Sequence, residues 1–558
     1  MTGRLKVAGG HVVDPTRGVD GVGDVWVEDG RVIDAPTDPE IKADRVIDAR
    51  GYVVMAAGVD VHCHIVGPKV NSARSLRPEE ARRGALPLDR RFAKARSGTL
   101  GSVPTSFSTG AKYAGLGYGT AVDAAIAPLG ARPAHRELAD TPIIDKAFLI
   151  LMGNNHYAMD RIKLGERERL RAFVAWMLNA TKALGIKVVN PGGVEAWKQG
   201  GNGRPAALDD EVPHFGVTPR QILVELAQAA GDLGLPHPIH LHGLNLGLPG
   251  NAEITLETMR ALDGHRAHLA HIQFHSYGGS PSDLGKMDSQ VGPLAEYINA
   301  HPNLTVDVGQ VMFGETTSMT ADGALGQYLH QVTGRKWISH DVELETGCGV
   351  VPITYDDKNA VHALQWSIGL EWFLRVDDPW RVALGTDHPN GGSFLAYPQI
   401  IALLMDRGHR SDRFKALPES VRTRSGLGDL TREYTLPEIA IVTRAGPARI
   451  LGLDRKGHLG PGADADVTIY APDDDKERMF SIPRYVLKAG VVIVDDGDLL
   501  AWPDGQTLIA APEVDPTDEP AIAAWFEASS SIQFANYAVD LDEVSSPLEV
   551  ACRPKGKP

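Results

Sequence analysis

Two histidines near the start of the chain, His62 and His64, have the type and spacing of metal ligands. They lie in the stretch G-V-D-V-H-C-H-I-V-G-P-K, whose apolar residues predict a β-strand. Alternate residues of a strand point to the same side, so the two imidazoles project together while Cys63 faces the other way. Two imidazoles on one side are able to share a metal ion, although a His-x-His pair alone is a weak signal.

Further polar residues occur at the ends of other strand-like runs. They are Lys187, His240, His242, His271 and Asp387. Imidazole nitrogens together with carboxylate oxygens suit Zn²⁺ or a similar divalent ion, and an incomplete protein shell leaves room for water. The set therefore predicts metal-activated hydrolysis.

The elements that must position these residues are strands that alternate with helical stretches. The strand-like runs are V-D-V-H-C-H, G-T-A-V-D-A, A-F-L-I-L-M-G, G-I-K-V-V-N, P-I-H-L-H-G, A-H-L-A-H-I-Q-F, L-T-V-D-V-G and V-A-L-G-T-D. Alternation of this kind predicts an α/β fold with a parallel sheet, and eight runs indicate a closed (β/α)8 barrel. In such a barrel the chemistry lies at the C-terminal ends of the strands, where the polar residues fall.

The two ends of the chain have a different character from the middle. Short β segments separated by turn residues predict that residues 1–57 and 451–512 together form a small β-sandwich domain. Residues 58–450 are then the barrel and residues 513–558 a C-terminal extension. An insertion from about Phe313 to Asp377 is too long for an ordinary loop, so we expect it to carry structure of its own and to cover the site.

Composition narrows the class of protein. The chain has 558 residues, 43% of them hydrophobic and 23% charged, which is typical of globular proteins. A net charge of −15 argues against a nucleic-acid or membrane-surface binder. The sequence lacks a signal peptide and any apolar run of about 18 residues, so we expect a soluble, cytoplasmic protein. The scattered Cys63, Cys348 and Cys552 do not suit a disulfide framework or an iron–sulfur cluster, so any redox chemistry belongs to a partner.

Longer motifs identify a family resemblance. V-D-V-H-C-H, G-T-D-H-P, T-R-A-G-P-A-R-I-L-G-L and K-G-H-L-G-P-G-A-D-A-D-V-T-I-Y resemble the amidohydrolase superfamily over nearly the whole chain. More narrowly, the sequence resembles the A subunits of formylmethanofuran dehydrogenases and of bacterial formyltransferase/hydrolase complexes. The strings that carry this resemblance are G-P-K-V-N-S-A-R, G-I-K-V-V-N-P-G-G, H-I-Q-F-H-S-Y-G, D-V-E-L-E-T-G-C-G and T-D-H-P-N-G-G. One departure is Ala56-Ala57-Gly58, where many amidohydrolases have a proline before the glycine. It touches no ligand.

The resemblance implies a metal-dependent centre with two divalent ions, which we expect to be zinc. The implied ligands are His62 and His64 on one ion, His242 and His271 on the other, a carboxylated Lys187 as the bridge, and Asp387 next to the nucleophilic water. Carboxylation fits the physics, because an unmodified lysine is a cation that repels metal whereas its carbamate is a two-oxygen anion.

Two positions in this set have competitors. His240 shares a strand face with His242; the H-G-L-N string favours His242 as the ligand and leaves His240 as a deeper packing histidine or one behind the ligands. His268 and His275 flank His271, which the resemblance favours. Asn245 and His275 are then expected to contact substrate.

The implied activity is hydrolysis of the N-formyl amide of formylmethanofuran or a methanofuran-like carrier, which gives formate; the reverse condensation is the same chemistry. The chain would be the catalytic subunit of a multi-subunit one-carbon complex, whose other subunits decide the direction. One alternative is a stand-alone cyclic amidase or deacetylase of the same superfamily, which would need no companion subunits. A non-enzymatic scaffold is disfavoured because every implied ligand is present.

A basic segment follows the first metal-binding strand. Residues 69–96 contain nine basic and three acidic side chains, so the segment is an exception to the negative net charge. Guanidinium groups pair bidentately with carboxylates, such as those of a glutamate-rich carrier tail. Lys69, Arg74, Arg82 and Arg83 are therefore predicted to bind substrate, the alternative being a solvated helix face or a contact for another subunit.

Overall fold

A computed structural model describes residues 3–38, 40–77, 102–198, 207–342 and 346–554 of the chain. The strands are β1 (Leu5–Asp14), β2 (Val19–Glu28), β3 (Arg31–Ile33), β4 (Arg45–Asp48), β5 (Val53–Ala56), β6 (Gly58–Cys63), β7 (Tyr118–Ile126), β8 (Asp145–Leu151), β9 (Gly185–Val189), β10 (Ile239–His242), β11 (Ala267–Leu269), β12 (Leu304–Asp307), β13 (Gly314–Thr320), β14 (Ile338–Val342), β15 (Thr346–Tyr355), β16 (Val382–Ala383), β17 (Val467–Tyr470), β18 (Tyr485–Lys488), β19 (Val491–Asp495), β20 (Asp498–Leu499), β21 (Thr507–Ala510) and β22 (Pro547–Val550).

The helices lie mostly between the barrel strands. They are α1 (Pro68–Leu76), α2 (Ser106–Gly115), α3 (Ala131–Ala139), α4 (His156–Lys163), α5 (Arg167–Thr181), α6 (Gly193–Lys198), α7 (Pro219–Asp232), α8 (Ala252–Ala261), α9 (Val291–Ala300), α10 (Gly323–Thr333), α11 (Ala360–Arg375), α12 (Tyr397–Met405), α13 (Arg407–Lys415), α14 (Glu419–Arg422), α15 (Leu436–Ala440), α16 (Gly446–Ile450), α17 (Lys476–Ser481) and α18 (Glu519–Ser529). In the described ranges, none is both long and apolar enough to cross a bilayer.

The eight predicted barrel strands are present and parallel. β6 to β12 pair in chain order, and β16 pairs with β12. The first and last strands meet at a bridge between Cys63 and His388, where the His64 amide donates to the His388 carbonyl at 2.7 Å. β7 and β8 are buried at every residue, as expected for parallel strands covered on both faces. The predicted α/β barrel is confirmed.

The helices begin where the sequence provides capping residues. Before α7, the Thr218 side chain accepts from the Gln221 amide while the Gln221 side chain accepts from the Thr218 amide, and Pro219 occupies the first helical position. Asn359 caps α11 in the same sense by accepting from the amides of Val361 and His362. Local signals thus fix where the helices around the barrel start.

A second sheet combines both ends of the chain. β5 from the N-terminal part pairs with β17 from the C-terminal part, and β18 to β20 extend the sheet on one side while β1 to β4 extend it on the other. β21 departs from the expectation that residues 451–512 complete this sheet. It pairs instead with β8 of the barrel, at Thr507 and Lys146, and β22 then adds to β21.

A buried cluster of charges joins the two sheets. Lys488 Nζ lies 2.6 Å from Asp145 Oδ2, at the start of β8, and 2.7 Å from Asp466 Oδ2, next to β17. Lys456 also contacts both carboxylates and lies 2.6 Å from Asp464. Arg31 also contacts Asp464, so the three carboxylates face basic side chains of at least equal number, as buried charges require.

The insertion after β12 has its own structure, as predicted. β13, β15 and β14 form a three-stranded antiparallel sheet, and α10 packs on β15. α1, which follows the first barrel strand, contacts the same small sheet. The insertion therefore stands over the C-terminal end of the barrel.

Candidate metal centre

One cavity collects the predicted ligands at the C-terminal end of the barrel. Its volume is about 400 Å³, and its lining includes all of them: His62, His64, Lys187, His242, His271 and Asp387. His62, Lys187 and His242 lie on β6, β9 and β10, whereas His64, His271 and Asp387 lie in the segments that follow β6, β11 and β16. Residues as far apart in the chain as His62 and Asp387 meet because parallel strands end at the same rim.

Asp387 faces both histidines of the first strand. Its Oδ1 atom lies 3.0 Å from His62 Nε2 and 3.1 Å from His64 Nε2. The ligand atoms of the three residues all lie within 4.8 Å of one another, and all three side chains are buried. Two imidazole nitrogens around one carboxylate oxygen form a donor set that suits a divalent ion.

His242 and His271 form a second pair beside the first. Their ring centroids are 4.7 Å apart and the rings are nearly perpendicular. The His271 ring is also 5.2 Å from that of His62, so the two pairs belong to one cluster.

Several buried polar atoms of this cluster lack hydrogen-bond partners, and metal ions would satisfy them. Among the described residues, the buried side-chain atoms that lack a hydrogen-bond partner include His62 Nε2, Lys187 Nζ, His242 Nε2, His271 Nδ1 and Asp387 Oδ1. An unsatisfied buried polar atom costs about 1–3 kcal/mol, and here several line one cavity. The donor set therefore fits divalent metal ions in type.

Two of these residues have unusual backbone conformations. His271 has φ 36° and Asp387 has φ 52°, both in the left-handed region that side chains other than glycine rarely adopt. Such conformations cost about 1–3 kcal/mol each and persist only where the surrounding structure enforces them. At His271 the neighbour is Gly309, where an added Cβ would lie 2.5 Å from His271 Cβ.

Burial and neighbouring charges shift the titration of the cluster. Burial lowers the pKa of Lys187 to about 7, against the opposing effect of Asp387 and Asp307, so a neutral amine is accessible near neutral pH. For Asp387, burial favours a raised pKa, but His62 and His271 outweigh it and hold the pKa well below its usual range. The carboxylate is therefore ionised and able to bind a cation or accept a proton.

Asp307 is a central residue that the sequence analysis did not select. Its Oδ2 atom accepts from His62 Nδ1 at 3.0 Å and from His268 Nε2 at 3.1 Å, while Oδ1 accepts from the His271 amide at 2.9 Å. It thus orients one predicted ligand of each pair. The signal was its position at the end of the seventh strand, in L-T-V-D-V-G.

Asp123, also overlooked, fixes the segment after His64. Its Oδ2 atom accepts from the amides of Ile65 and Val66 at 2.7 and 3.0 Å. Burial favours a raised pKa for Asp123, but Lys69 and His64 together with the backbone lower it to about 2. Asp123 lies on the second strand in V-D-A, which is again a strand position rather than a motif.

The predicted substrate residues have varied surroundings. Buried Lys69 donates to the carbonyl of Ala125, a residue that lines the cavity. Arg74 does not line the cavity and donates to the carbonyls of Ile65 and Pro104 at 3.0 and 3.1 Å. Arg82 and Arg83 lie outside the described residues.

Asn245 and His275 stand close to the ligands without lining the cavity. Asn245, with φ 57°, accepts from the side chain of Asn251 through its carbonyl at 3.0 Å. His275 is buried, and its ring is nearly parallel to that of His271 at 5.5 Å. Both residues therefore support the segments that carry His242 and His271.

The insertion supplies the outer wall of the cavity. Its contributions are mainly apolar or aromatic and include Met319, Leu325, Tyr328, Leu329, Ile353 and Tyr355. Tyr355 donates to the Asn390 carbonyl at 3.0 Å, which ties this wall to the segment after Asp387. A small polar group at the bottom and an apolar body above it would match this lining.

Comparison with known proteins agrees with the geometry. Protein FwdA of Methanocaldococcus jannaschii is 44% identical over 524 residues, which cover 90% of each chain. The A subunit of the formyltransferase/hydrolase complex Fhc of Methylorubrum extorquens is 44% identical over 521 residues, covering 91% of this chain and 92% of that one.

A solved structure extends the likeness to three dimensions. A chain of the formyltransferase/hydrolase complex FhcABCD from Methylorubrum extorquens, crystallised with methylofuran, superposes with a TM-score of 0.92 at 41% identity. The match covers 99% of this chain and 100% of that chain. Residues 45–494, most of the sequence, match the amidohydrolase family, and the chain belongs to that family.

Proposed function

We propose that the chain is the hydrolase subunit of a one-carbon complex and cleaves the N-formyl amide of a methanofuran-type carrier. The products are formate and the free amine, and the reverse condensation uses the same site. The observation that carries this proposal is the convergence of His62, His64, Lys187, His242, His271 and Asp387 on one cavity, in a chain that resembles its FhcABCD counterpart over its full length.

The donor set suits two divalent ions, which we expect to be zinc. His62 and His64 would hold one ion and His242 and His271 the other, together with Lys187 as a carbamate. Bound there, the ions would polarise the formyl oxygen and make water a better nucleophile at neutral pH.

Asp387 is the group proposed to move the proton. Its ionised carboxylate takes a proton from the attacking water as the new C–O bond forms, and gives that proton to the amine nitrogen as the C–N bond breaks. Asp387 Oδ1 lies 3.0 Å from His62 Nε2 and 3.1 Å from His64 Nε2, so this oxygen faces the place where the two histidines would hold an ion. The apolar wall of the insertion limits access of bulk water to the formyl group.

The carrier and the companion subunits are proposed from the resemblance to the Fhc complex. An apolar wall beside the ligands fits a carrier whose formylamine is attached to an apolar or aromatic body. A stand-alone amidase would be catalytically complete without other chains. Purification from the native source under mild conditions separates the two functions, because only the proposed one expects other subunits to co-purify.

Removal of ligands tests the centre itself. His62→Ala and His271→Ala are expected to lose metal and formylamine hydrolysis together, as measured by elemental analysis and formate release. His301→Ala is the matched control, since this half-buried histidine follows helix α9 and stacks on Tyr297 without lining the cavity. Full metal content in both ligand variants would contradict the proposal.

A further inference from the structure

Three histidines that are not predicted ligands lie inside the barrel. His237, His240 and His268 are each fully buried, in an interior that branched aliphatic side chains commonly fill. His240 lies on β10 in register with Lys187 of β9 and with His268 of β11, and it does not line the cavity. Buried imidazoles at these positions need hydrogen-bond partners.

Two of them form a chain that ends at a predicted ligand. His237 Nδ1 lies 3.0 Å from the Ile450 carbonyl oxygen, at the end of α16. His237 Nε2 lies 3.0 Å from His240 Nδ1, and His240 Nε2 lies 3.0 Å from His62 Nδ1. The chain therefore runs from the backbone at the base of the barrel to the first metal-binding strand.

The carbonyl at one end fixes every proton along this chain. Because a carbonyl only accepts, His237 must carry its proton on Nδ1, which leaves Nε2 as an acceptor. His240 must then donate from Nδ1 and accept at Nε2, so His62 donates from Nδ1. An additional proton on the Nε2 atom of His237 or His240 would set two N–H groups against each other at the next contact of the chain.

We propose that His237 and His240 are positioning residues that hold His62 in its Nδ1–H tautomer, with the Nε2 lone pair directed at the metal centre. The Nδ1 proton of His62 lies between two acceptors, His240 Nε2 and Asp307 Oδ2, both at 3.0 Å. Two acceptors on that side of the ring fix its rotation as well as its proton. His237 and His240 act only through His62 and contact no substrate.

This inference rests on the proposed metal centre and deepens it. Asp307 alone would leave the ring less well determined, because its Oδ2 atom also accepts from His268. A ligand whose outer nitrogen is held by hydrogen bonds is the arrangement that metal-binding histidines generally show, and loss of such a partner typically weakens metal binding about 10- to 100-fold.

Pairs of substitutions separate hydrogen bonding from packing. Leucine at position 237 or 240 fills space but can neither donate nor accept, whereas glutamine can do both. His237→Leu, His237→Gln, His240→Leu and His240→Gln are made in the full-length protein, with its companion subunits where these co-purify. His135→Leu is the control, because His135 is a buried histidine with one carbonyl partner, Thr181, on helix α3 outside the barrel.

Zinc affinity, measured by competition with a chromogenic chelator, is the main readout, and thermal unfolding monitors the fold. The two leucine variants should bind one zinc ion about 10- to 100-fold more weakly, while the glutamine variants and His135→Leu stay close to the parent. Parental affinity in the leucine variants, or equal losses in the glutamine and leucine variants, would overturn the inference. If the parent binds three zinc ions and the His240 variants bind only two, His240 is itself a metal ligand, and this result would overturn the inference as well.

A second measurement does not depend on the leucine variants folding. In ¹⁵N-histidine spectra of the parent, assigned by comparison with the glutamine variants and with His62→Ala, the three residues His62, His237 and His240 should each carry a proton on Nδ1 and none on Nε2. A protonated Nε2 on His240 would contradict the chain. A parent that binds no zinc would refute the proposed function itself, whereas a zinc-loaded parent with the other tautomer refutes only this inference.

Discussion

Nδ1 of His62 lies 3.0 Å from Oδ2 of Asp307, although the two residues are 245 positions apart and belong to β6 and β12. The same carboxylate accepts from the backbone amide of His271. One residue that does not line the cavity therefore orients a histidine of each predicted metal pair.

Asp307→Asn is expected to weaken metal binding about 10- to 100-fold with little change in side-chain volume. The side-chain amide of asparagine would turn an N–H group toward one of the three donors from which the Asp307 carboxylate accepts. Metal retained after dialysis against a chelator, together with formate release, measures the effect. Asp263→Asn, at a carboxylate that accepts from Tyr297 at the surface, serves as the control. Unchanged metal retention in Asp307→Asn would show that the carboxylate is not needed to orient the ligands.

Lys187 should be heavier by one CO₂ in the intact protein, as read by solid-state carbon NMR or crystallography. Lys187→Ala should lose its metal ions and its activity, because the cavity would then lack the bridging anion. Addition of a short carboxylic acid should restore part of both. If Lys187→Ala keeps its metal ions and its rate, Lys187 is a structural lysine.

Gly309→Ala should reduce kcat about 100-fold through displacement of His271, since an added Cβ would lie 2.5 Å from His271 Cβ and 3.6 Å from Asp387 Cβ. Gly165→Ala is a matched control, because Gly165 has a similar φ of 68° but no heavy atom within 4 Å of the added Cβ. Both variants place an alanine in the left-handed backbone region, and the resulting strain destabilises both of them. Only Gly309→Ala should lose activity, and equal losses would assign the effect to backbone strain alone.

Asp466→Asn should lower the free energy of unfolding at pH 7 by about 3–5 kcal/mol, because it leaves buried Lys456 and Lys488 with too little negative charge. Burial favours a raised pKa for Asp466, but the two lysines hold it well below its usual range. A depressed folded-state pKa stabilises the fold above the unfolded-state value of about 4, and this contribution is lost as pH falls below it.

The difference in unfolding free energy between Asp466→Asn and the parent should therefore shrink as pH falls from about 5 toward 2. Urea unfolding at a series of pH values measures it. Asp412→Asn, at a side chain that is 82% exposed, should show little difference at any pH. A gap for Asp466→Asn that stays constant with pH would mean that this carboxylate is not ionised in the folded state.

The barrel could be predicted from the sequence because its strands are buried on both faces and therefore appear as continuous apolar runs. The polar residues that line the cavity could be selected from the same property, since polar residues at the ends of such runs stand out. β21 could not be placed in the same way. Its pairing with β8 rests on the contact of Thr507 with Lys146, and neither residue carries a local signal for it.

The choice between His240 and His242 illustrates a second kind of limit. Strand alternation assigns both to one face, but their roles depend on depth in the barrel. His242 lines the cavity, whereas His240 contacts His62 and His237 below it. Depth depends on how neighbouring strands are staggered, and no single strand encodes it. Asp307 and Asp123 escaped selection for the same reason, because only their neighbours give them a role.

The charge cluster at the start of β8 has a consequence for synthesis on the ribosome. Asp145 lies in the third barrel strand, but its neutralising partners Lys456 and Lys488 emerge more than 300 residues later. Until Lys488 has left the ribosome, a nascent barrel would hold a buried carboxylate without its cations, which disfavours closure around β8. The ligand strands are all translated by then, so metal loading would await the last part of the chain.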